Sequence, residues 1–220
     1  MSPRKLFEKE LEELREDVLQ MSEWLEDGYD SLFEALQKKD TETMAKFVRH
    51  DRVINDMQRN IESRCLSLFT RQQPVARDLR TVSAALKIVT DMERIGNHLS
   101  DMAELFLRME MQDLAEYSGC FPEMIRETRN SVHKAADAFV HRNMNMAEEV
   151  IAADDVIDRY FNQVKNDLVE LLKNGVKDAD VCIDTLMAAK YLEKIGDHAV
   201  NIGQWEIFQE TGVIDEVRLL

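Results

Sequence analysis

Carboxylate and amide side chains recur four residues apart on four stretches of this chain. Asp154 and Asp158 form one pair, with Asn162 a turn further on. Glu193, Asp197 and Asn201 form a second set, Glu93, Asn97 and Asp101 a third, and Asp51 with Asn55 a fourth. Positions i and i+4 of a helix share one face, so each set is a ridge of oxygen ligands. Measured from Gly96 or Gly196 as the centre of an apolar stripe, the three members lie at about 60°, 100° and 140° to one side. The Asp154 set keeps those offsets from Ile157, and Asp51 and Asn55 keep them from Ile54.

Helices joined by short turns run antiparallel, and like flanks then face each other. The Asp154/Asp158 ridge can so meet the Glu193/Asp197 ridge. Four carboxylates in one groove repel unless cations neutralise them. Oxygen-only ligand sets suit hard cations such as Mg²⁺, Mn²⁺, Ca²⁺ or iron. An isolated acidic pair is more often a solvated flank, here partnered by Arg94, Lys194 or Arg159; repetition on two facing helices is what raises the metal reading. In the first half Asn97 and Asn55 stand where the second half has Asp197 and Asp158. An amide is a neutral, weaker ligand, so the first-half site is the poorer one.

Catalytic patterns are missing from the sequence. None of the five histidines has a Glu three residues before it, which excludes the Glu-x-x-His di-iron motif. There is no HExxH, Gly-rich phosphate loop or nucleophile elbow. His98 and His198 fall about 200° from the apolar stripe and are expected to face solvent. His50 is expected at a core edge. The 12 methionines read as gap-fillers in helical cores.

The elements that must position these ridges are helices. Only 7 glycines and 3 prolines interrupt the chain, and few turns mean long elements. Phe7, Leu11, Leu14, Val18, Met21, Leu25, Gly28, Leu32 and Ala35 form the first seam. Asp40 is an N-cap candidate. A second helix carries Phe47, Ile54, Ile61, Cys65 and Leu68 and ends near Pro74. The third is expected from Arg77 to Glu116, with Gly119 and Pro122 breaking it. A fourth covers Glu123 to His141, and Asn145 with Glu148 reads as a capping pair for the fifth. Asn174-Gly175 ends the fifth. The sixth runs from Asp180 to Gln209, with Gly212 closing it.

With 28 basic and 43 acidic residues, the chain carries a net charge of -15. It repels nucleic acid unless a basic patch exists, and none is visible. Cys65, Cys120 and Cys182 sit among apolar residues with no CxxC pairing, as reduced thiols of the cytoplasm do. The charged N-terminus has no apolar signal region and no stretch reaches membrane-span length, so a soluble protein is expected.

The six helices repeat. Arg94-Ile95-Gly96-Asn97-His98 returns as Lys194-Ile195-Gly196-Asp197-His198, 100 positions on. Asp51, Val53, Ile54 and Asn55 match Asp154, Val156, Ile157 and Asp158. Two matched helices in the same order point to a duplicated three-helix unit, here divided as residues 1–116 and 117–220. The expected fold is all-α: two pseudo-repeated antiparallel three-helix bundles. Glycine mid-helix costs about 1 kcal/mol relative to Ala, and its double occurrence implies close helix approach.

These strings resemble a known family. Gln73-Pro74-Val75-Ala76-Arg77-Asp78-Leu79-Arg80 followed by Asp91-Met92-Glu93-Arg94-Ile95-Gly96, and Tyr191 through Ile202, resemble the two signatures of PhoU. The resemblance spans essentially the whole chain. It implies a non-enzymatic negative regulator of phosphate uptake and of phosphate-starvation signalling. The implied partners are the ATPase of the phosphate ABC transporter and a membrane sensor histidine kinase. The protein would then be cytoplasmic and peripheral to the inner membrane through these partners, with no direct membrane insertion and no nucleic acid. A homodimer is expected. The family's acidic motifs bind multinuclear clusters or divalent ions, so iron, manganese, magnesium or zinc is implied. Carried over, the motifs fall on Glu193 and Asp197 and on Asp154 and Asp158, and in the first half on Glu93 and Asn97 and on Asp51 and Asn55. The helix-face reading adds Asn201 and Asp101 to the candidate metal ligands, a turn beyond Asp197 and Asn97. A metal-dependent helical-bundle enzyme and a purely structural helical adaptor are the alternatives from other classes.

Overall fold

The long apolar seams fold as helices. The computed structural model describes residues 3–48, 51–176, 178–214 and 217–218, without the side chains of Pro3, Asp51, Gln72, Val217 and Arg218. His50 lies outside the described residues. Helix α1 (Pro3–Lys38) buries its seam from Phe7 to Ala35. The seam place expected for Gly28 is taken by Tyr29, which is buried and donates from its hydroxyl to the Ile125 carbonyl at 2.7 Å. Helix α2 (Thr41–Phe47) starts on Asp40, whose carboxylate accepts from the amides of Glu42 and Thr43. Helix α3 (Asp51–Gln72) follows, so the expected second helix comprises two segments.

Helix α4 (Ala76–Arg108) stops eight residues before the expected Glu116. Glu110 and Met111 take positive φ of 53° and 55°, and the Met111 amide donates to the Phe106 carbonyl at 2.9 Å. This reversal returns Met109, Met111 and Leu114 to the core, and their burial outweighs continued helix. A short 3₁₀ turn, Leu114–Glu116, leads to helix α5 (Phe121–His141). Arg142 closes α5 in the left-handed region. Asn143, not Asn145, then caps helix α6 (Met144–Lys173), accepting from the Met146 amide at 3.2 Å. The turn is tighter than expected, because one left-handed residue suffices to reverse the chain. Helix α7 (Ala179–Thr211) ends at Gly212, with φ 77°. A minimal antiparallel pair, β1 (Val213–Ile214) and β2 (Val217–Arg218), follows.

Helices α1, α3 and α4 pack as one bundle, and α5, α6 and α7 as the other. The two glycines occupy equivalent places. A Cβ on Gly96 would stand 3.1 Å from Ile54 Cγ1 of α3, and one on Gly196 would stand 2.9 Å from Ile157 Cδ1 of α6. Ile54 and Ile157 are themselves matched in the repeat, so duplication extends to tertiary contacts.

The halves meet chiefly along α4 and α7, which run antiparallel. Arg108 Nε donates to Asp184 at 2.7 Å at one end, and Arg77 reaches Glu210 at 2.6 Å at the other. Helix α1 also packs on α5. Among the described residues no helix is long and apolar enough to cross a membrane. The three cysteines are free, Cys65 and Cys182 being buried, and burial pushes the Cys65 thiol up to about 12.

Candidate functional site

In the second half the structure brings α6 and α7 together with their acidic flanks facing. Asp154 carries the mark of this. Its carboxyl is raised above the ordinary range by burial and by the negative charges of Asp158, Asp197, Asp155 and Glu193. The acids of the two ridges therefore lie within electrostatic reach.

Two lysines of α7 answer part of that charge. Lys190 Nζ is 2.7 Å from Glu193 Oε2 and 5.1 Å from the centre of the Phe161 ring on α6. Its ammonium is so held by a carboxylate and an aromatic face together. Lys194 contacts Asp197 and lies 3.5 Å from Glu193. Asn162 donates to the Asp158 carbonyl at 2.9 Å and accepts from Lys165. Asn201 turns the other way and donates to Asp91 of α4 at 3.1 Å.

The first half is quieter. Asn97 donates its amide to Glu93 Oε1 at 2.7 Å, and Arg94 Nε lies 3.6 Å from Glu93 Oε2. Asp101 points to His98, at 3.8 Å. The Asp51 side chain lies outside the described residues. Among the described residues, no three His, Cys, Asp or Glu side chains converge closely enough to hold a metal ion as placed.

The histidines depart from expectation. His98 and His198 do not face open solvent; both are mostly covered, and their rings lie 5.6 Å apart between α4 and α7. His198 Nδ1 is 2.8 Å from Asp91 Oδ1, while His98 lies 5.3 Å from the Tyr191 ring. Burial and the neighbouring His198 hold His98 below its usual value. The sequence carries a signal for this. Ile88, Ile95 and Met102 repeat at seven-residue spacing, as do Ala188, Ile195 and Ile202, and all are buried. A helix with two apolar seams has two neighbours, so the side away from the first seam is an interface as well.

A second group that the sequence patterns do not single out is Glu206, fully buried near the end of α7. Burial, with help from Glu210, pushes its carboxyl up to about 8. The Gln209 amide donates to it at 2.7 Å. A groove of about 570 Å³ lies elsewhere, between α1 and α3. Arg64 crosses it to Glu13 at 2.8 Å and Asp17 at 2.6 Å.

This duplicated architecture matches known proteins. The sequence model of the PhoU domain matches twice, over residues 18–106 and 121–205. The chain belongs to the PhoU family. A Clostridium acetobutylicum relative named phosphate-specific transport system accessory protein PhoU homolog is 33% identical over 210 residues, covering 95% of this chain and 96% of its own. The Methanothermobacter thermautotrophicus homolog 1 of that name is 30% identical, with 95% and 96% covered. The crystal structure of PhoU from Pseudomonas aeruginosa superposes with a TM-score of 0.88 at 29% identity, covering 94% of this chain and 100% of that one. The Streptococcus pneumoniae phosphate transport system regulatory protein PhoU, at 24% identity and TM-score 0.87, shares the fold.

Proposed function

We propose that this protein is a non-enzymatic negative regulator of phosphate uptake and phosphate-starvation signalling. It acts by binding the ATPase of a phosphate ABC transporter and a membrane sensor histidine kinase, from the cytoplasmic side and as a homodimer. The observation that carries the reading is the doubled PhoU domain, together with near full-length relatives named as accessory proteins of phosphate-specific transport. The test is genetic. Deleting the gene should switch on phosphate-starvation genes in high phosphate. Unchanged expression in a host without a second family member would refute the role.

The same reading gives the ridges a cation: iron, manganese, magnesium or zinc at Asp154, Asp158, Glu193 and Asp197, with a weaker counterpart at Asp51, Glu93, Asn97 and Asp101. The excess negative charge around Asp154 supports it. Because two lysines already lie on Glu193 and Asp197, a cation must displace them and so binds weakly and exchangeably.

A further inference from the structure

Large apolar side chains stand exposed at one end of the α6/α7 face. Ile183 is 54% exposed and Met187 40% on α7; Val169 and Leu172 on α6 are each 42% exposed. They belong to one patch by the register of the two helices. Moving along α7 from Gly203 to Gly196 to Lys190, the neighbours on α6 move from Ile151 to Ile157 to Phe161. Continued at the same step, Met187 comes level with Lys165, and Ile183 with Val169.

The fold does not require this patch. In the register that equates Gly96 with Gly196, Ser83 and Lys87 stand where Ile183 and Met187 do. In the register that equates Ile54 with Ile157, Leu66 stands for Val169 and is exposed too, while Gln58 stands for Phe161. Leu172 matches partly buried Phe69, so the two halves differ in this region mainly at the places of Ile183 and Met187. Exposed apolar clusters of this kind mark interaction surfaces.

The same face continues into the acidic ridge. Ile183 and Glu193 are separated by about 15 Å along α7 at 1.5 Å per residue. Asp154, Asp158, Glu193 and Asp197 outnumber the two lysines that contact them. Apolar side chains and negative charge therefore follow one another along α6 and α7.

We propose that this face docks a basic amphipathic helix of a partner protein. Its apolar side chains would cover Val169, Leu172, Ile183 and Met187, and its Lys or Arg side chains would reach the acidic ridge. The surface goes beyond the phosphate reading, and on the acidic ridge the partner's basic side chains compete with any bound cation, so its test is run with EDTA present.

The probe is a fluorescent synthetic helix with Leu on one face and Lys on the other, about 20 residues or ~30 Å long. Its controls replace Leu by Ser or Lys by Glu. The double variant Ile183→Ser/Met187→Lys installs the residues that the first half already tolerates, and circular dichroism checks its helicity. Leu66→Ser is the matched control. Anisotropy should show at least tenfold weaker binding to the double variant, wild-type binding to Leu66→Ser, loss with rising salt, and no binding of either control peptide. Equal binding by wild type and double variant overturns the proposal. So does sedimentation showing that the double variant alone turns a dimer into a monomer, which makes the patch a contact between copies. Patch-dependent binding to anionic vesicles without peptide binding also overturns it.

Discussion

The two halves of this molecule share a backbone plan and differ in where they place charge. Gly96 against Ile54 and Gly196 against Ile157 show one packing solution used twice. Around it, the first half has Asn97 hydrogen-bonded to Glu93, whereas the second has Asp197 and Glu193 shared by Lys194 and Lys190. Further along, buried Phe106 stands where the second half has buried Glu206, 100 positions on. Packing geometry was retained, and electrostatics diverged, because a core position constrains volume tightly while a flank constrains charge loosely. The second half is the chemically loaded one.

The largest contrast is Phe106 with Glu206. Folding raises the Glu206 carboxyl to about 8, above its unfolded value. Its contribution is thus full at low pH and lost as pH rises through that range, since the unfolded chain releases the proton first. Glu206→Gln should therefore leave stability near pH 5 little changed and raise it at pH 8 by a few kcal/mol, because a tenfold difference in proton affinity between folded and unfolded chains is worth about 1.4 kcal/mol. Chemical denaturation at both pH values measures this. A gain of equal size at both would show that ionisation is not the cause.

Next comes cation binding. Ions that bind only the folded state raise stability by about 2.7 kcal/mol at a 100-fold excess over Kd. Asp197→Asn makes the second half resemble the first and should reduce the melting shift caused by Mg²⁺, Mn²⁺ or Fe²⁺; Asn97→Asp should enlarge it. A wild-type melting temperature that ignores all these ions relative to EDTA means that the lysines and water suffice.

The smallest effect separates two matched contacts at the α4/α7 interface. Asp91 faces His198, and its repeat counterpart Tyr191 faces His98. Asp91→Ala leaves His198 and Asn201 without their acceptor and should cost about 1–3 kcal/mol. Tyr191→Phe, which keeps the ring, should cost less. His98 is held below its usual value, so its contribution is present above about pH 6.5 and lost as pH falls through the lower folded value. His98→Phe should weaken that acid sensitivity by a fraction of a kcal/mol, read as the slope of melting temperature between pH 5 and 7.

The sequence by itself determined the helices, their caps at Asp40 and Gly212, the seams and the duplication. These follow from local propensity and a 3.6-residue period, which neighbouring residues in the chain express directly. It also placed the acidic flanks correctly on α6 and α7, because i, i+4 spacing survives any packing of the helix. It did not place His98 and His198. The stripe through Gly96 and Gly196 is only one of two buried faces, and the seven-residue seams of Ile88 and Ile195 on the other side become decisive once α4 and α7 pack together. Nor did it reveal the reversal after Arg108, where buried Met109, Met111 and Leu114 override helix propensity. Which lysine answers which carboxylate, and that Glu206 is shut away from solvent, depend on the distance between helices. That distance is set by glycine-to-isoleucine contacts across the bundle, and only the tertiary structure decides it.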